Sequence, residues 1–74
     1  MLIIVTGPQR NDEEVGLIAE IAGLLDGVPA YSATIQWATA TALYYLAGWE
    51  KCPTAVADMI IAETMDLVIC PVSV

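Results

Sequence analysis

The chain has 74 residues, a net charge of −7 at pH 7, and 58% hydrophobic residues. One small domain of this length buries only about 60% of its unfolded surface, so the apolar content exceeds what its interior needs and points both to a sheet covered on two faces and to apolar surface held against another chain. The charge argues against nucleic acid, which wants a basic patch, and against anionic membranes. With no histidine a metal site is not expected and a Ser-His triad within one chain is impossible. No apolar run reaches the roughly 18 residues of a membrane span. Cys52 and Cys70 do not make a disulfide framework, and the opening residues do not read as a signal peptide, so free thiols in a reducing cytoplasm are expected.

Residues 2–6, Leu-Ile-Ile-Val-Thr, form a short β-branched run ended by Gly7-Pro8, as suits a strand buried on both faces. Asn11 then caps a helix, and Glu14 stands where it closes a capping box. Val15, Ile18, Ala22 and Leu25 make the apolar stripe of that helix; Leu17, Ile21 and Leu24 widen it, and Gly27 is placed to end it. Val28 to Ala33 is a weaker strand, marked as an edge by Pro29. Residues 34–42 are ambiguous. Ile35, Ala38, Ala42 and Tyr45 fit a helical face, whereas Thr39, Thr41 and Tyr44-Tyr45 favour strand. A short connection and a strand from about 40 to 46 is the preferred reading, with a helix as the alternative. Pro53 to Met65 is a helix with Pro at its first position, apolar almost all round, and Leu67 to Val72 is the last strand.

Leu43 to Met65 therefore reads as strand, loop and helix, the arrangement that places ligands at the carboxyl end of an open α/β sheet. Within it, Gly48-Trp49-Glu50-Lys51-Cys52, then Thr54-Ala55, Asp58, Ala62 and Leu67-Val68, resembles the nucleoside 2-deoxyribosyltransferase-like family, in particular its small phage and bacterial members. Ile3-Ile4-Val5-Thr6-Gly7-Pro8 is similar to the family's first strand and Gly-Pro turn. The resemblance implies a small flavodoxin-like parallel sheet of about four strands with two main helices, trimmed relative to the family between its second and third strands.

The resemblance also implies a nucleoside or nucleotide ligand and no cofactor. Asp58 stands where the family has the Glu that attacks the sugar anomeric carbon; a carboxylate serves there as nucleophile and then as leaving group. Gly7, Pro8, Gln9 and Arg10 after the first strand, and Gly48, Trp49, Glu50, Lys51 and Cys52 after the third, are the expected ligand-binding set. Arg10 and Lys51, the only cations, would flank one crevice at the switch point and suit an anion or a phosphorylated nucleoside. The plainer alternative is that each pairs with a nearby acid, Asp12 or Glu50. Trp37 and Trp49 are candidates for stacking on a base, with core or interface roles as the alternative.

Several positions depart from the family. Asp58 is one methylene shorter than Glu, Thr41 stands where an Asp is usual, Cys52 replaces a Ser, and Thr54 replaces a Gly. The catalytic set is thus incomplete, and binding is better supported than N-glycosidic bond cleavage or transfer. In the family a neighbouring subunit completes the site, and the all-round apolar Pro53–Met65 helix suggests a homodimer. The alternative function is a small acidic protein-interaction module, such as a phage-encoded inhibitor of a host protein, in which Glu13, Glu14, Glu20 and Asp26 matter and Asp58 does not.

Overall fold

The computed structural model describes residues 2–33 and 36–72. The chain forms β1 (Ile3–Thr6), α1 (Asp12–Leu24), β2 (Val28–Pro29), β3 (Ala42–Tyr45), α2 (Pro53–Thr64) and β4 (Val68–Pro71), with single 3-10 turns at Ala30–Ser32, Gln36–Ala38 and Trp49–Lys51. The four strands make one parallel sheet in the order β2-β1-β3-β4. This is the small flavodoxin-like α/β architecture, with its switch point between β1 and β3. In register, Thr6 pairs with Tyr45 and Tyr45 with Pro71, so these residues mark the carboxyl edge.

The segment from 34 to 42 resolves in favour of a connection and a strand. β2 ends at Pro29, sooner than its sequence suggests, so the link to β3 runs over residues 30–41 and meets the dozen or so residues that a parallel crossover needs. It carries 3-10 turns in place of a helix. Ile35, counted on the alternative helical face, lies with Thr34 outside the described residues.

Strand alternation sends successive side chains to opposite faces. On one face Val5 packs with Ile18, Ile21 and Ala22 of α1, and with Leu46. On the other, Ile4 and Leu43 pack with Met59 and Ala62 of α2 and with Ala30 and Ala33 of the crossover. Reversal of strand order at the switch point, combined with right-handed crossovers, puts α1 alone on its face.

Both helices end in the same way. Asp26 (φ 56°) and Asp66 (φ 60°) adopt the left-handed conformation after the last turn. Gly27 N–H then donates to Ala22 C=O at 2.7 Å, and Leu67 N–H to Ala62 C=O at 3.0 Å, closing Schellman motifs. The left-handed residue of the first motif is thus Asp26, where Gly27 was expected. Gly27 is instead needed for close approach: a Cβ there would lie 2.6 Å from the Ile3 carbonyl oxygen. The capping box is also altered. Asn11 Oδ1 accepts from Glu14 N–H at 2.9 Å, but the Glu14 carboxylate turns to Arg10, accepting from its N–H at 2.8 Å.

One further expectation is corrected, and α2 is covered on one side alone. Leu17 and Leu24 are exposed rather than part of a widened core stripe, because α1 rests on β1 and β2 and leaves that flank open. Of the all-round apolar α2, only Ala55, Asp58, Met59 and Ala62 are buried; Ile60, Ile61 and Met65 face outward. Cys70 is half-buried because β4 is an edge strand. Among the described residues no helix is long and apolar enough to cross a membrane.

Candidate functional site

Asp58 is at the carboxyl edge of the sheet, on the face of α2 turned toward β1. Pro53 fixes the first turn of α2, and Asp58 follows Ala55 by one turn on the same inward stripe. The residue as a whole is 9% exposed. Thr6 Oγ1 donates to Asp58 Oδ2 at 2.7 Å, and Gln9 Nε2 donates to the same oxygen at 3.2 Å. Gln9 Nε2 also lies 3.3 Å from Thr6 Oγ1, so the three side chains form one cluster. Burial pushes the Asp58 pKa above the ordinary aspartate value, and the two donors partly offset that rise. Among the described residues Oδ1 accepts no hydrogen bond, so the carboxylate is oriented through one oxygen and leaves the other for chemistry or ligand.

Cys52 is the N-cap residue of α2, with extended backbone (φ −113°) and a buried side chain. Its thiol makes no capping hydrogen bond. The Ala55 N–H above all lowers its pKa, against the opposing effect of burial, with smaller contributions from the Gln9 and Thr54 N–H groups and the Arg10 charge. Gln9 therefore serves both groups, with its main chain beside the thiol and its side chain on the carboxylate.

The two turns meet directly. Gly48 has φ +90°, and a Cβ on it would lie 3.4 Å from Pro8 Cγ; a Cβ on Gly7 would lie 2.8 Å from Leu46 Cβ. The expected crevice between the loops after β1 and β3 is thus packed at this point by Pro8. Open volume remains to either side: a 150 Å³ hollow on the α1 side, where Pro8 faces Leu46 and Ala47, and a cavity of 280 Å³ above the ends of β3 and β4, lined by Gly48, Trp49 and Glu50 among others and closed by Pro71 and Val72. Trp49 stands edge-on to Tyr45, ring centroids 5.7 Å apart at 73°, with its lower part against the core. Trp37 packs against that same core from the crossover and does not line the cavity.

The two cations are engaged differently. Arg10 is held by Glu14 through two prongs, Nη2 to Oε2 at 2.8 Å and Nε to Oε1 at 3.2 Å. That contact raises the Arg10 pKa and lowers that of Glu14. The pairing alternative thus holds for Arg10, with Glu14 as partner rather than Asp12. Lys51 is exposed and makes no ion pair among the described residues. Thr41, where the family has an acid, lies at the opposite, amino edge: its N–H and Oγ1 both bond to Leu2 C=O, at 2.9 and 3.2 Å.

Sequence reading missed Thr6. Its signal was present, since a hydroxyl at the end of a run buried on both faces needs a buried acceptor. No protein-family model, no curated protein and no solved structure matches this chain.

Proposed function

We propose that the chain binds a nucleoside or nucleotide at the carboxyl edge of the sheet, with the base beside Trp49 and the sugar toward Asp58. The observation that carries this reading is the Asp58 carboxylate, buried yet anchored through Oδ2 alone by Thr6 and Gln9. In the glycosyl-transfer chemistry of this reading, Oδ1 attacks the anomeric carbon as the C–N bond breaks. The departing base keeps the bonding electron pair and takes a proton from water. The resulting glycosyl ester is released by attack of water or of a second base. Anchoring Oδ2 fixes the attacking oxygen, and positioning of this kind is the largest lever an otherwise sparse site has. Arg10 is neutralised by Glu14, so a phosphate would rely on Lys51 and on the amino-terminal N–H groups of α2.

A thermal-stability screen with nucleosides and nucleoside monophosphates tests the binding. A ligand at a hundredfold excess over its dissociation constant adds about 2.7 kcal/mol of stability. Failure of every nucleoside to stabilise the protein would refute the reading. Any hydrolysis or transfer should vanish in Asp58→Asn, and activity surviving that change would exclude Asp58 as nucleophile.

The same reading includes a homodimer through α2. Ile60 and Ile61 are 58% and 38% exposed on a helix whose other side already packs on the sheet. Burying such side chains favours association by roughly 1.5–3 kcal/mol each.

A further inference from the structure

We infer that the α1-side face of β3 and β4 is a docking surface for an amphipathic helix with basic flanks, supplied by another protein. This inference does not depend on the nucleoside reading, because the surface lies on the sheet face opposite α2 and Asp58.

Register defines the surface. Ala42 pairs with Val68 and Tyr44 with Cys70, and alternation sends these four side chains to the face that carries Val5 and α1. α1 packs chiefly on the β1 and β2 part of that face, with Tyr44 of β3 at the margin of its cluster. Val68 is left 62% exposed and Cys70 half-buried, while Leu17 and Leu24, on the open flank of α1, are 46% and 76% exposed. Leu17 shares a 150 Å³ hollow with Pro8, Leu46 and Ala47, so this flank is the one that looks toward β3. A shallow groove results, with α1 as one wall and β3 and β4 as its floor; Ala42 is buried and Tyr44 half-buried at its root, and Val68 is its open side.

Width and charge select the occupant. Two strands spaced about 4.8 Å apart offer a floor about as wide as one helix, roughly 10 Å across with its side chains. The α1 wall is acidic along its outer border, where Glu13, Glu14 and Glu20 line a larger open concavity next to Leu17. The chain has two cations in all, one of them paired with Glu14. A second copy would therefore bring acid against acid, whereas a helix with an apolar stripe and Lys or Arg on its flanks satisfies both wall and floor.

The test uses the full chain, isotope-labelled for amide NMR, and a synthetic helix-forming peptide of Leu and Lys at amphipathic spacing, at about 0.15 M ionic strength to screen diffuse attraction. The expected result is saturable binding with shifts at Leu17, Leu24, Tyr44, Val68 and Cys70. Val68→Asp should weaken it at least about tenfold, as should Leu24→Asp, while Ile60→Asp on the far face should not. No binding at about 1 mM peptide, equal affinity for a Leu/Glu counterpart, or indifference to both substitutions would overturn the inference. So would a self-associated chain that Val68→Asp converts to monomer, since the occupant would then be a second copy.

Discussion

Thr6 and Asp58 are joined at 2.7 Å across 52 positions of sequence, tying the end of β1 to the first turns of α2. Thr6 is fully buried and Asp58 is 9% exposed as a residue. Thr6→Val keeps the shape and removes the donor. It should cost about 1.5–3 kcal/mol, the usual range for a hydrogen bond to a charged group, and push the Asp58 pKa further up. Urea denaturation of Thr6→Val against Thr6→Ser measures it; Ser keeps the hydroxyl and should lose much less. Equal loss in both would mean that the methyl group, not the bond, matters.

The raised Asp58 pKa sets a sign for pH dependence. The native state holds this proton to higher pH than the unfolded chain does. Stability from Asp58 is therefore fully present below its unfolded value of about 3.9 and is lost as pH rises through the folded value. Glu14 has the opposite sign, since Arg10 lowers its pKa, and general repulsion among the acids adds a background. The difference between wild type and Asp58→Asn isolates the term. Asp58→Asn should be relatively more stable at neutral pH than at acid pH, and a pH-independent difference would contradict the burial.

Much of the fold was legible because local rules and tertiary packing agree. The β-branched run at β1, the Asn11 cap and Pro53 at the start of α2 each specify an element on their own terms. What was not legible depends on partners distant in sequence. The loss of Leu17 and Leu24 from the core follows from how far α1 reaches over the sheet, which periodicity does not encode. The capture of Arg10 by Glu14 removes a cation that strand-end position alone assigns to the ligand. Within the candidate site, the Gly48-Trp49 turn was marked by its place after β3 and Asp58 by the resemblance, whereas Thr6 and the double role of Gln9 emerge only once β1 and α2 are side by side.

Glycines give a paired prediction. Gly27→Ala drives a Cβ to 2.6 Å from the backbone oxygen of Ile3, which β1 cannot yield, and should cost about 1–3 kcal/mol. Gly16→Ala, in mid-helix with nothing within 4 Å of its new methyl, should gain about 0.5–1 kcal/mol. Thermal melts of the two variants should move in opposite directions.

Accessibility should decide which cysteine reacts first. Cys52 is 2% exposed, behind Gln9 and the first turn of α2, although its pKa is lowered. Cys70 lies half-buried on the β4 edge. A thiol reagent should label Cys70 first, and Cys52 only at the rate of local opening. Mass mapping of the labelled peptides decides this, and prompt labelling of Cys52 in the folded chain would mean that its cover opens freely.

The last prediction concerns self-association through α2. Its inward stripe of Ala55, Asp58, Met59 and Ala62 is committed to the sheet, and Ile60, Ile61 and Met65 are left outside. A two-fold contact would set the same patch against itself, the commonest closed solution for a homo-oligomer. The flank between these residues carries Glu63 and Thr64, and Thr64 Oγ1 turns back to Ile60 C=O at 2.9 Å, which reduces the polar surface the helix presents there. Light scattering at micromolar concentration should give a dimer. Ile60→Glu should split it while leaving the fold intact, because that side chain is 58% exposed. Val68→Asp, on the opposite sheet face, should leave the dimer whole. A chain that stays monomeric at high concentration would remove α2 as the interface, and the outward isoleucines would then be no more than exposed apolar surface.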